Sequence, residues 1–122
     1  MADYVPLFKP GQAVTATVAT TAVVGGRLVE VNGVGTVGPA GAASVKVCGV
    51  AAYDAAVGEK VTLFNGGVQR LTASAAVTAG DNLAAAAAGK VAAIAAGTFG
   101  QLVGVALTSA AADGDLVEVQ MR

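Results

Sequence analysis

Short alternating runs of apolar and polar residues recur along this chain, most of them introduced by a glycine. Val14-Thr15-Ala16-Thr17-Val18, Leu28-Val29-Glu30-Val31, Val61-Thr62-Leu63-Phe64, Val68-Gln69-Arg70-Leu71 and Val117-Glu118-Val119-Gln120-Met121 place like residues at i and i+2. Successive side chains of a strand point to opposite faces, so each run predicts a strand. A recurring cue sets where strands begin: Gly, a polar residue, any residue, then an aliphatic. It occurs at Gly11-Gln12-Ala13-Val14, Gly58-Glu59-Lys60-Val61, Gly80-Asp81-Asn82-Leu83 and Gly114-Asp115-Leu116-Val117, and each reads as a turn feeding a strand. Asn65-Gly66 between two runs predicts a tight hairpin. The Ala84–Ala88 run reads as strand or loop, with a short helical turn as the alternative, because it is too short for an isolated helix.

The pattern also repeats at long range. Gly25 precedes Leu28 and is followed by Gly49-Val50-Ala51; Gly80 precedes Leu83 and is followed by Gly104-Val105-Ala106. Gly58-Glu59-Lys60-Val61 then corresponds to Gly114-Asp115-Leu116-Val117 with one residue inserted. Two related β-units packed into one barrel or sandwich are expected. The reading is therefore all-β: a small β-barrel or β-sandwich of short strands with Gly-rich turns, residues 11–122 forming one β domain behind an extended N-terminal arm, residues 1–10.

The arm carries Tyr4, Val5, Pro6, Leu7, Phe8 and Pro10. Two prolines within five residues favour extended backbone and oppose a helix. Such a segment serves either as a docking arm, with Tyr4, Val5, Pro6, Leu7 and Phe8 as the partner-binding residues, or as an edge strand closing the domain's own core.

Composition changes the picture in one respect. Hydrophobic residues make up 55% of the chain and charged residues 12%, about half the ~25% usual in soluble proteins. Most of the apolar content is Ala and Val, which bury little area each, and aromatics are 4%. A thin core and few surface charges imply that the monomer covers apolar surface against partners. The seven cations are scattered and the net charge is −1, so the concentrated basic face of a nucleic-acid binder is missing. Met1-Ala2-Asp3-Tyr4 has no basic region followed by an apolar stretch, so no signal peptide is expected. The uncharged window Val91 to Leu107 is shorter than the ~18–20 residues of a membrane span and is interrupted by Gly97, Gly100 and Gly104, so no membrane partner is expected.

Candidate chemistry is sparse. No His is present, which removes His-based triads and the commonest metal ligand. The single Cys48 lies in a strand-like run and reads as a structural thiol; one Cys makes neither an intrachain disulfide nor a zinc site. Asp113 and Asp115 flank Gly114 and read as a turn, since a calcium loop needs more oxygen ligands at regular spacing. Gly89-Lys90 fails as a phosphate loop, because Ala84 and Val91 stand where a Gly and a hydroxyl residue are required. No catalytic residue, cofactor or metal is assigned, and the chain reads as a non-enzyme.

The stretch from Gly49 to the C-terminus resembles a family of small tailed-bacteriophage proteins. Gly49-Val50-Ala51, Asp54-Ala55-Ala56-Val57-Gly58-Glu59, Ala79-Gly80-Asp81, Gly104-Val105-Ala106-Leu107 and Ala110-Ala111-Ala112-Asp113-Gly114-Asp115 carry the resemblance. Its members are similar to capsid decoration, or cement, proteins and are sometimes labelled recombinase, a label the failed phosphate loop does not support. The resemblance implies a structural virion protein made in the bacterial host cytoplasm. It would bind the outer capsid surface as a homotrimer, contact the major capsid protein and stabilise the shell. The other class is a small-molecule or carbohydrate-binding β module, disfavoured by the scarcity of stacking rings. A lipoyl-like carrier would need a lysine at a hairpin tip, for which Lys90 is the one loose candidate.

Overall fold

The computed structural model describes Tyr4, Leu7 and residues 13–94 and 99–122. The strands are β1 (Val14–Val18), β2 (Leu28–Gly33), β3 (Thr36–Pro39), β4 (Val47–Ala51) and β5 (Lys60–Phe64), then β6 (Val68–Thr72), β7 (Asn82–Ala85), β8 (Val91–Ala93), β9 (Leu102–Ala106) and β10 (Leu116–Met121). Two 3-10 turns, Ala87–Gly89 and Phe99–Gln101, are the helical pieces among the described residues. The all-β reading is correct. The Ala84–Ala88 run divides between its two alternatives, ending β7 and then entering the first 3-10 turn. The apolar window at 91–107 contains β8 and β9, and no helix of the described residues is long and apolar enough to cross a membrane.

The first five strands close into a barrel in the order β1-β3-β2-β4-β5. The last five form a sheet in the order β6-β10-β9-β7-β8. This is the same arrangement used twice, with β6 to β10 replacing β1 to β5. Where β1 and β3 pair in parallel at Val18 and Val37, the second unit has a parallel bridge between Ala73 and Val91. The antiparallel bridge of Val23 with Ala55 recurs as Val77 with Ala110. Even the bulge recurs: the β2/β4 register shifts between Val29 and Glu30, the β7/β9 register between Leu83 and Ala84.

The cores repeat as well. Val18, Val23, Val29, Val37, Ala51, Ala55, Val61 and Leu63 fill the first barrel. Their equivalents by register and bridge, Ala73, Val77, Leu83, Val91, Ala106, Ala110, Val117 and Val119, all belong to the second cluster. Each such side chain contributes about 1.5–3 kcal/mol when a Val- or Leu-sized group is fully buried. The expected duplication is real, with one correction. Equivalent residues in the second strand are Val29 and Leu83, both paired to the glycine of the next strand, and not Leu28 and Leu83. Leu28 faces outward onto the other unit, so its apolar character has a different cause and misleads a comparison by residue type.

The Gly-polar cue is a turn with a built-in latch. Gly58, Gly80 and Gly114 have φ of 91°, 94° and 92°, which suits the third position of a type II turn and disfavours any residue with a Cβ. The acid that follows turns back on the chain. Glu59 Oε1 accepts the Ala56 N–H at 2.6 Å, Asp81 Oδ2 the Thr78 N–H at 3.0 Å, and Asp115 Oδ2 the Ala111 and Ala112 N–H groups, both at 3.1 Å. Each strand then starts two residues after its glycine. The first copy of the cue, at Gly11, lies outside the described residues. Asn65-Gly66 does not form a hairpin. The neighbours of β5 are β1 and β4, and β6 pairs with β10. Gly66 and Gly67, with φ of 64° and 63°, redirect the chain from one unit into the next.

The units meet where the β7–β8 turn of the second lies on the outside of the first. The Gly89 N–H donates to the Ala40 carbonyl and the Ala43 N–H to the Ala85 carbonyl, both at 2.8 Å. Leu28, Ala40 and Val50, all on the outer face of the first barrel, join the core cluster of the second unit. Gly89 sits so close that a Cβ would lie 2.5 Å from the Leu28 carbonyl oxygen. Lys90 and Asp113 tie the β7–β8 and β9–β10 connections together at 2.8 Å, and the Lys90 hydrogen bond and charge hold the Asp113 carboxyl below its ordinary range.

Cys48, on β4, packs half-buried against the first core, and its Sγ lies 3.7 Å from the Val29 carbonyl. Burial pushes its thiol up, opposed by a backbone hydrogen bond and helped by the charge of Glu30. Its equivalent by register, Val103, is a plain core residue, so the position is a packing position.

Two outcomes follow. Gly114→Ala meets open space but a positive φ, and should cost about 1–2 kcal/mol in urea unfolding. Gly89→Ala adds a collision with the Leu28 backbone and should cost more, about 2–5 kcal/mol when overpacking is included; equal losses would contradict the joint. Because the raised thiol is largely neutral at neutral pH, Cys48 should react slowly with a disulfide reagent in the native protein and fully in denaturant. Equal rates in the two conditions would place the thiol in solvent.

Candidate interaction surface

Strand ends position what the two units present. At one end of the first barrel, the start of β1 and β4 and the ends of β2 and β5 leave a cavity of about 300 Å³ lined mainly by apolar groups, including Val14, Ala16, Val31, Cys48 and Leu63. No aromatic residue lines it, so it lacks the stacking face of a sugar site. Beside it the β2–β3 hairpin projects Val34, which is fully exposed, and Val31 is 45% exposed.

The chain enters β1 at Val14, on the rim of this same opening. The predicted arm precedes β1 in the chain. Tyr4 and Leu7 are 87% and 93% exposed. Val5, Pro6 and Phe8 lie outside the described residues. The structure thus places two of the five predicted arm residues, both turned to solvent, and brings neither against another site residue.

Sequence reading missed the hairpin tip Asn32 to Gly35. Its signal is a lone valine between two glycines, Gly33-Val34-Gly35, an apolar residue where a turn calls for polar ones. Further exposed apolar groups, Val24, Tyr53 and Val57, lie on the loops at the opposite ends of β2, β4 and β5.

The acids are occupied with structure. Asp54 Oδ1 accepts the Gly25 N–H at 2.8 Å, and Glu30 accepts the Gly41 N–H at 2.6 Å while its other oxygen lies 3.5 Å from Lys46. Asp115 latches its turn and Asp113 holds Lys90. Among the described residues no group of three or more His, Cys, Asp or Glu could hold a metal ion. Lys90 is bound to Asp113 with its side chain 22% exposed, unlike the free tip lysine of a carrier domain. What this surface offers is apolar contact.

A comparison with curated protein sequences returns no match. Among solved structures, the head fiber gp8.5 N base of bacteriophage phi29 is similar, with a TM-score of 0.74 at 20% identity, over 91% of this chain and 93% of that one. At that identity the likeness shows a shared fold. Residues 8–121 match the phage cement protein family. That match spans both units and every latched turn among the described residues, and on it the chain belongs to the phage cement protein family, a family of phage structural proteins.

Proposed function

We propose that this protein binds the outer surface of a phage capsid as a homotrimer, contacts the major capsid protein and stabilises the shell. The observation that carries the reading is the apolar character of the predicted arm, with Tyr4 and Leu7 exposed to solvent, on a chain of the cement family. Membership of that family also supports a place in the virion and a structural, non-enzymatic role.

The mechanism is adhesive. The arm, with Tyr4, Val5, Pro6, Leu7 and Phe8 as contact residues, adds to an exposed strand edge of a capsid subunit; backbone hydrogen bonds give affinity and alternate side chains enter pockets. Ordering the arm costs conformational entropy, so one arm binds weakly. Three arms on one trimer raise avidity without any new contact, and an oligomer that bridges neighbouring capsid subunits resists their separation.

Deleting residues 2–8 should leave the circular dichroism spectrum and thermal midpoint of the protein unchanged and abolish co-sedimentation with capsids. A truncated protein that decorates at wild-type occupancy contradicts the docking role. One that unfolds assigns the arm to the core and contradicts it equally.

A further inference from the structure

The contact between the two units is built from a knob and a socket, and each unit carries both. The knob of the second unit is the β7–β8 turn, with Ala85 4% exposed and Gly89 buried. The socket on the first unit is Leu28, Ala40 and Val50, all buried. Register identifies the unused partners. Ala85 corresponds to Val31, since they pair with Val91 and Val37 respectively. Gly89 corresponds to Gly35, two residues before those partners, and both glycines have positive φ, 75° and 69°.

Leu28 and Val50 pair with one another as Asn82 and Val105 do. Ala40 corresponds to Ile94, because the Ala40 N–H donates to the Leu28 carbonyl at 3.1 Å and the Ile94 N–H to the Asn82 carbonyl at 2.9 Å. The first unit's knob is bare: Val31, Val34 and Gly35 are exposed. The second unit's socket, Asn82, Ile94 and Val105, is only partly covered, whereas its counterpart is buried throughout.

We infer that the Val34 hairpin tip of one copy docks onto the Asn82–Ile94–Val105 face of a second copy, repeating between chains the contact that joins the units within a chain. A knob on one unit and a socket on the other make this contact heterologous, so it runs head to tail, and in the homotrimer proposed above it closes after three copies. Val31 and Gly35 then take the buried places that Ala85 and Gly89 hold in the chain, and Val34 takes that of Ala88, at the exposed margin of the contact beside the residues equivalent to Leu28 and Pro39. The inference supplies the surface for the oligomer proposed above and rests on that part of the reading; capsid binding is tested separately by the arm deletion.

The test is light scattering on wild type, Val34→Asp, Val105→Glu and an equimolar mixture of the two variants at one protein concentration. Wild type should be oligomeric. Each variant should have the monomer mass of 11.6 kDa with a circular dichroism spectrum and thermal profile of a folded protein, since Val34 is fully exposed in the single chain. The mixture should give a complex of two chains, because Val105→Glu keeps its knob and Val34→Asp keeps its socket. A monomeric wild type, a Val34→Asp variant of wild-type mass, or a mixture that stays monomeric overturns the inference. Should Val105→Glu fail to fold, a Val34→Cys/Ala93→Cys variant replaces it: chain-to-chain crosslinks exceeding those of each single-cysteine variant support the contact, and their absence overturns it.

Discussion

The joint between the units is the interaction on which the rest depends. An Ala- and Val-rich barrel of five short strands buries little apolar area, and a domain of that size is marginal alone. Seating the Ala86–Lys90 turn on the first barrel merges Leu28, Ala40 and Val50 with the whole interior of the second unit in one cluster. The cost of the joint is visible in its backbone: Ala88 is held at φ 60° and Gly89 at 75°, and the Leu28 carbonyl leaves no room for a side chain at 89. Strained backbone of this kind persists where the surroundings determine it completely.

Duplication explains much else in the molecule. The latched turn at Gly58 and Gly114, the bulge beside Gly49 and Gly104, and the parallel closure each occur once in either unit. Differences between the copies then become informative. Cys48 is a slightly worn core position, as its counterpart Val103 shows. Val31 and Gly35 are exposed where their equivalents Ala85 and Gly89 are covered by the first barrel within the chain.

Most strands were legible because alternation and the Gly-acid cue are local. The acid latches its own turn within three or four residues, so the sequence window contains the whole cause. The strand around Cys48 and the alternating runs from Val14, Val61, Val68 and Val117 are found where they were expected. What was not legible depends on contacts between distant segments. Asn65-Gly66 has the local chemistry of a hairpin, but β1 and β4 occupy the edges of β5. Leu28 looks like the counterpart of Leu83 until register shows that one faces the other unit and the other faces its own core. The tip at Val34 was hidden, because its hairpin acquires meaning only when register sets Val31 and Gly35 beside their buried equivalents Ala85 and Gly89.

The proposed function rests on two β units, a closed barrel and a five-stranded sheet, covering apolar surface against capsid and against a second copy. Electron cryomicroscopy of capsids decorated with the purified protein tests it most directly. The expected map shows the chain on the outer surface, residues 4–8 in continuous density against the major capsid protein, and each Val34 tip on the Val105 face of the next copy. Isolated monomers, or a ring whose arms point into solvent, would contradict the account.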